Sequence, residues 1–357
     1  MWDRFWQALL QRKYKVGIVG SGFGVAVHLP SFRAHPAFEV VALASPHSAR
    51  KIAAERRVPH AFESCAAMLG ATVEIDVVSV ASPPFAHCDD VLAALAAGKH
   101  VLCEKPMALN AAQAERMAVA GQAAGTARGL AHEFRFIPQR QALKELITNG
   151  HLGPLRNIEI TEMHDFLRAD GDRKNNWWFS RKSGGGITGA WFSHMVDLSN
   201  WLTDRVPQRV CGFERTANAR RGDAQGEFTT DVADGSFALI EYGDGLVSRL
   251  ACDATARVRS STVAAHGETR SAVVSGENAL EVRLFAVDEA ETSELSCSPL
   301  PYGKFISLGA NVPLFMALLD ELRTQIETGK SALPTFEDGV MTQRVLEKVG
   351  YSAQSRC

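Results

Sequence analysis

Lys15-Val16-Gly17-Ile18-Val19-Gly20-Ser21-Gly22-Phe23-Gly24-Val25 joins a short apolar run to a glycine turn, and a helix-like stretch continues to Arg33. The run reads as a buried strand. Gly20 and Gly22 match the first two glycines of a dinucleotide fingerprint. Lacking Cβ atoms, they permit a tight turn and let backbone approach a pyrophosphate at a helix N-terminus. Val25 replaces the third glycine of that pattern, with Gly24 beside it. A lone G-x-G is also an ordinary turn, but a strand before it and a helix after it favour the nucleotide reading. Gly20, Gly22, Phe23 and Gly24 are therefore candidate cofactor contacts.

Working outward, Phe38 to Ala44 is a second apolar strand. In an NAD site its end carries an acid for the ribose hydroxyls. Here it ends in Ser45, followed by His47, Arg50 and Lys51, while Glu39 lies at the wrong end. The missing acid and the nearby cations lean towards NADP over NAD, with Ser45 and Arg50 as candidate contacts. The alternative is that Arg50 and Lys51 form the solvated face of the next helix. Ile75 to Ala81 is a third core strand, running into the rigid Ser82-Pro83-Pro84 loop, then His87 and a helix from Cys88 to Ala97. Ser82, Pro83 and His87 are candidate contacts, although His87 fits a helix-start or packing role equally well.

Val101-Leu102-Cys103-Glu104-Lys105-Pro106 is a buried strand that stops at a carboxylate, an ammonium and a proline. Pro106 cannot continue a ladder and biases Lys105 towards extended backbone. Ligands of open parallel sheets bind outside the carboxyl ends of the strands. Lys105 is thus the first residue to suspect of chemistry, with Glu104 beside it. Alternating apolar strands and amphipathic helices define an α/β fold with a doubly wound parallel sheet.

The length of 357 residues predicts two domains. A net charge of -2 argues against a nucleic-acid or membrane surface held by charge. The seven cysteines are scattered, with no CxxC or CxxH spacing, so neither a disulfide framework nor a metal site is supported. A reducing cytoplasm fits best. Met1 to Leu10 is no convincing signal peptide and reads as a short helix or arm, and no membrane-length span follows.

The predicted domain boundary falls between residues 133 and 134. Beyond it, Gln139 to Asn149 has helical spacing and a plain stop at Asn149-Gly150, and Leu155 to Thr161 alternates as a strand. Asn175 to Asp197 is chemically dense: Trp177, Trp178 and Arg181 precede Gly184-Gly185-Gly186, and His194 and Asp197 follow. On a helix starting near Ile187, His194 and Asp197 share one face. An imidazole beside a carboxylate is a sensible proton acceptor with an orienting partner. Either residue alone reads better as a capping His or a surface Asp. Trp177 and Trp178 fit stacking on a sugar or cofactor, and equally core packing. Strand-like runs then follow at Arg209–Glu214, Glu227–Val232, Gly235–Tyr242, Leu246–Asp253, Arg257–His266 and Ala279–Phe285. They predict an α+β second domain, 134–357, with a large, mainly antiparallel open sheet. Its apolar face would be covered in a homo-oligomer. Val312–Thr328 and Phe336–Gly350 are closing helices, free to pack back on the first domain.

Gly20-Ser21-Gly22-Phe23-Gly24, Ala81-Ser82-Pro83-Pro84-Phe85-Ala86-His87, Ala97 to Pro106, and the later triple glycine with His194-x-x-Asp197 occur in one order and spacing. Together they resemble the Gfo/Idh/MocA oxidoreductase family over nearly the whole chain, down to Pro334–Gly339. Arg135-Phe136 is similar to the family's R-F, which marks Arg135 as a further cofactor contact, although Glu133 stands where many relatives have Asn. The resemblance implies hydride transfer between a nicotinamide and a secondary alcohol or ketone of a sugar, sugar derivative or cyclitol. Lys105, His194 and Asp197 would be the catalytic and substrate-binding set, with Trp177 against the substrate. It also implies a dimer or tetramer. Ala190 replaces a common Asp, and Phe192 a common glycine, which is expected to narrow the pocket. Two rivals come from other classes: a non-redox glycosidase using tightly held NAD, and a catalytically silent dinucleotide-sensing regulator.

Overall fold

Six parallel strands organise the first part of the chain. The computed structural model describes residues 13–169, 173–276, 281–286 and 293–352; the arm expected over Met1–Leu10 lies outside the described residues. Two units are present. The first contains the described residues up to Met107, then Ala112–Glu133 and Leu300–Phe336. The second contains Ala108–Ala111, Phe134–Pro299 and the described residues from Glu337.

In the first unit, β1 (Tyr14–Val19) leads through a π turn (Gly24–His28) into α1 (Leu29–Ala34). β2 (Phe38–Ala44), α2 (Ala49–Arg56), β3 (His60–Phe62), α3 (Cys65–Leu69), β4 (Val77–Val80), α4 (Pro84–Ala96), β5 (His100–Cys103), α5 (Ala111–Ala124) and β6 (Arg128–Leu130) follow. The sheet order is β3-β2-β1-β4-β5-β6, and every pairing is parallel. The strand order reverses between β1 and β4, which is where a doubly wound sheet opens a crevice for a ligand. All four residues of β4 are buried, as a strand covered on both faces requires. α4 begins at Pro84, not Cys88 as the sequence suggested. Pro84 is its first helical residue, where a missing N–H costs nothing and the fixed φ already suits the helix.

The second unit is built on an eight-stranded sheet among the described residues. It comprises β7 (Leu155–Met163), β8 (Arg209–Arg215), β11 (Gly235–Gly243), β12 (Leu246–Asp253), β13 (Ser260–Gly267), β14 (Ser271–Ser275), β15 (Glu281–Phe285) and β16 (Ser293–Ser296). β9 (Arg220–Asp223) and β10 (Gly226–Thr229) form a separate ribbon. Only β7 with β12 is parallel within the large sheet. α6 (Pro138–Thr148) and α7 (Ser193–Thr203) pack on one face. Ile158, Ile160, Leu250 and Cys252 of the sheet meet Met195, Val196 and Leu198 of α7 in the core. Tyr242 fixes α7 further: its hydroxyl donates to Asn200 Oδ1 at 2.8 Å and lies 2.8 Å from Ser199 Oγ. The opposite face leaves Phe213 53% and Leu239 51% exposed.

Candidate active site

The glycine turn in the first unit divides its labour by position. Gly20 has φ +112°, and a Cβ there would lie 2.1 Å from the Ala81 carbonyl oxygen. Only glycine lets the end of β1 lie this close to the end of β4. A Cβ on Gly22 would meet nothing within 4 Å. The space in front of Gly22 is therefore open to a group that approaches the backbone, as a pyrophosphate does. A Cβ on Gly24 would crowd Ile18 Cγ2 at 3.1 Å and Ala81 Cβ at 3.2 Å. Gly24 thus supplies the close helix–strand packing that a third fingerprint glycine provides, and Val25 is not a defect. The residues present fit a dinucleotide. Phe23 is half-buried and lies edge-on to the His28 ring, 5.8 Å between centroids.

Ser45 stands at the carboxyl end of β2. Its Oγ is 3.1 Å from Ser21 Oγ in the glycine turn and 3.1 Å from Ser48 Oγ. Arg50 is on the solvated face of α2, 87% exposed and 3.9 Å from Glu63. Lys51 pairs one helical turn along with Glu55. Pro83, in extended conformation, caps α4, and Ser82 Oγ donates to Asp90 at 2.8 Å.

His87 lies in the first turn of α4 and is buried. Its Nε2 is 2.6 Å from the Ser82 carbonyl and its Nδ1 is 3.0 Å from the Pro106 carbonyl. Burial pushes this imidazole below its ordinary pKa, against the pull of those carbonyls and of Glu104. His87 is a brace between the β4 loop and the segment after Lys105.

Lys105 is half-buried just past the carboxyl end of β5, and its peptide bond to Pro106 is cis. Glu104 is buried. Its Oε2 accepts the Lys105 backbone N–H at 3.3 Å, and its Oε1 lies 2.9 Å from His28 Nε2. Burial alone would raise the Glu104 pKa. The hydrogen bond from His28, with the nearby Lys105 ammonium, outweighs it and holds the carboxyl below its usual value.

In the second unit, His194 lies in the first turn of α7, 3% exposed. Its ring stacks on Phe134, 4.0 Å between centroids and 18° between planes. Asp197, one turn further, is engaged at both oxygens by Arg135. Nε donates to Oδ2 at 2.8 Å and Nη2 to Oδ1 at 2.6 Å. Arg135 also lies 3.3 Å from Asp338. The structure thus brings together two residues expected in different roles, Arg135 as a cofactor contact and Asp197 as an orienter of His194.

The triple glycine is architectural. A Cβ on Gly185 would lie 2.1 Å from the Trp178 carbonyl oxygen, so this loop folds directly onto the Trp177–Trp178 turn. Trp178 is 8% exposed and packs in the core, whereas Trp177 is 40% exposed. Phe192 belongs to the same core and is fully buried, so it lies among apolar side chains and does not narrow a pocket. The π turn Thr188–Phe192 shifts the helical phase there, and Trp191 is the half-buried residue instead.

Three residues with site character were not singled out from sequence: His28, Trp191 and His164. Trp191 packs against Phe134 at 5.4 Å and against His164 at 4.2 Å. His164 lies 3.6 Å from Glu162, which Arg140 meets at 3.0 Å. The only sequence signal for His28 is a polar residue on the buried side of the glycine-turn helix.

Residues 14–131 match the oxidoreductase family GFO_IDH_MocA, NAD-binding Rossmann fold. Residues 140–279 match the GFO/IDH/MocA C-terminal domain. The chain therefore belongs to the Gfo/Idh/MocA oxidoreductase family, and its first unit carries that family's NAD-binding fold. An uncharacterized oxidoreductase of Synechocystis sp. is 27% identical, over 96% of this chain and 94% of its own. Levoglucosan dehydrogenase of Pseudarthrobacter phenanthrenivorans is 26% identical, over 95% of each chain. In structure, an oxidoreductase domain protein from Kribbella flavida superposes with a TM-score of 0.86 at 24% identity, covering 97% of this chain and 98% of that one. Levoglucosan dehydrogenase in complex with NADH follows at 0.84 and 24%, covering 96% and 98%. Among the described residues, no helix is long and apolar enough to cross a membrane, and no group of three or more His, Cys, Asp or Glu side chains is placed to hold a metal ion.

Proposed function

We propose that this oxidoreductase moves a hydride between a nicotinamide dinucleotide and a secondary alcohol or ketone carbon of a sugar, sugar derivative or cyclitol. The observation that carries it is Lys105, held at the carboxyl end of β5 by Glu104, in the same unit as a glycine turn whose Gly22 faces open space. The sugar class is supported by the names of relatives, levoglucosan dehydrogenase and the D-glucoside 3-dehydrogenase of Escherichia coli among them.

When bound, the nicotinamide accepts or returns the hydride. The chain's own residues handle the oxygen and its proton. Lys105 hydrogen-bonds the reacting oxygen and stabilises its developing negative charge. His194 takes the hydroxyl proton in the oxidation direction. Stacking on Phe134 holds its ring in one plane. Asp197 anchors the helix that carries His194, through Arg135. Gly20, Gly22 and Gly24 form the pyrophosphate turn, and Ser45 takes the ribose position. With no carboxylate there, the site admits a 2′-phosphate, and NADP is favoured over NAD. The open sheet face serves a homo-oligomer. The cytoplasm suits Cys65, Cys88, Cys103, Cys211 and Cys252, which are thiols.

The test is an absorbance screen of NAD and NADP against sugars, cyclitols and sugar acids, run in both directions. Turnover of at least one polyol or ketose is expected. Lys105→Met should lower kcat by about 10²- to 10³-fold, the range of one donor to a developing oxyanion, and leave dinucleotide binding intact. Wild-type turnover in that variant overturns the assignment.

A further inference from the structure

Beneath Lys105 lies a chain of buried polar groups that hydride transfer does not itself require. Ser79 Oγ is 2.7 Å from His28 Nδ1. His28 Nε2 is 2.9 Å from Glu104 Oε1, and Glu104 Oε2 accepts the backbone N–H of Lys105. An ionised carboxylate only accepts, so Nε2 carries the proton and donates to Glu104. In the neutral ring Nδ1 is then the acceptor, and Ser79 donates to it.

The order serine, histidine, carboxylate is that of a nucleophilic hydrolase. Burial removes that reading. Ser79 and His28 are 0% exposed, and Ser79 sits in the middle of β4, sealed within the sheet. No acyl group can reach its hydroxyl. What the chain can do is hold a carboxylate still.

The His28 ring has little freedom of its own. Phe315 lies 4.2 Å away between centroids, and Phe23 meets it edge-on. His28 is also the last residue of the π turn that begins at Gly24, inside the glycine turn. A group that engages the backbone at Gly22 therefore orders the same short segment that presents His28 to Glu104. Burying a polar group is costly unless it is hydrogen-bonded. Three such groups in one chain are retained only if all are satisfied.

We propose that His28 is a positioning residue for Lys105: through Glu104 it fixes the Lys105 backbone and ties it to the state of the dinucleotide turn. This rests on the role assigned to Lys105 above. A displacement of about an ångström at a reacting group is enough to cost about 10²-fold in rate.

The experiment uses full-length His28→Asn and His28→Gln, with Lys105→Met measured alongside. The probes are NAD, NADP and the polyol that wild type turns over best. Gln places an amide N–H near the position of Nε2 and still reaches Glu104, whereas Asn reaches only towards Ser79. Asn is expected to lower kcat about 10- to 100-fold, with KM for the polyol and the dinucleotide Kd within about threefold of wild type. Gln is expected to recover most of kcat. A role in folding alone would not separate the two amides. Wild-type kcat in His28→Asn overturns the proposal, and so do equal losses in both variants. If His28→Asn does not fold, Ser79→Ala removes only the far hydroxyl; a several-fold fall in kcat at unchanged Kd supports the relay, and unchanged kcat overturns it. Should Lys105→Met lose turnover while His28→Asn keeps it, the relay falls and the hydride-transfer reading stands. Should Lys105→Met keep turnover, both fall.

Discussion

Arg135 and Asp197 meet in two parallel hydrogen bonds, 2.8 and 2.6 Å long, with 6% and 1% of their surfaces exposed. A buried bidentate pair adds little net stability when compared with apolar residues, but breaking it leaves a charge stranded. Burial works against the Arg135 charge, and Asp197 and Asp338 nonetheless raise its pKa above the ordinary guanidinium value. Asp197→Ala is therefore expected to destabilise the protein by about 3–5 kcal/mol in urea titration. Arg135→Met combined with Asp197→Leu should recover a large part of that loss. Turnover of the folded fraction at low temperature should fall less than in His194→Ala. A variant of wild-type stability that loses turnover as His194→Ala does would make Asp197 a participant in the chemistry.

Gly20 and Gly22 stand two residues apart and are expected to fail in different ways. Gly20→Ala forces a Cβ at positive φ into the Ala81 carbonyl, so both stability and dinucleotide binding should drop. Gly22→Ala adds a methyl in open space. Its melting temperature should stay within about 2 °C of wild type, the size of a surface substitution. Dinucleotide Kd should nonetheless rise at least tenfold, because the methyl stands where the backbone must approach phosphate. Equal Kd for Gly22→Ala and wild type would move the pyrophosphate elsewhere.

The strands of the first unit were legible because each is an uninterrupted apolar run. β2 follows the predicted Phe38–Ala44 without a residue's difference, and Lys105 stood out because a proline ends its strand. Pairings within the second sheet were not legible. β7 pairs in parallel with β12, many residues later, and nothing local in Leu155–Met163 encodes that choice. β14 was missed because serines at both ends disguise a short apolar centre. The relay beneath Lys105 was hidden for the same reason: Ser79 and Glu104 lie 51 and 76 residues from His28. Each reads locally as an ordinary strand or helix position, and only the fold makes them neighbours.

Ser45 is expected to decide the cofactor more directly than Arg50. Arg50 is solvated and faces Glu63 at 3.9 Å, so its removal should change NADP affinity by less than about threefold, in line with exposed charges. Ser45 touches the glycine turn through Ser21. Ser45→Asp supplies at the end of β2 the carboxylate that in an NAD site holds the ribose hydroxyls and repels a 2′-phosphate. The ratio of kcat/KM for NAD over NADP is expected to rise at least tenfold. An unchanged ratio would show that the ribose lies away from the end of β2.

The outer face of the second sheet exposes large apolar side chains, Phe213 and Leu239 among them. Phe213 stacks on Phe237 at 4.9 Å between centroids. With Leu239, Cys211 and Ala251 they line a shallow depression crossed by Glu159 and Arg249. Antiparallel sheets tolerate one wet face when that face is polar. This one sets Phe213, Phe237 and Leu239 beside Glu159 and Arg249, and an exposed apolar patch of this kind marks an interaction surface. A second copy of the chain presents the same patch, and an isologous contact about a two-fold axis would bury Phe213 and Leu239 together. Leu239→Arg is expected to shift the species seen in sedimentation velocity towards the protomer and to lower the melting temperature at dilute concentration, since mutual burial stabilises the folded chain. A wild-type protein that sediments as a protomer at every concentration would assign the patch to another partner.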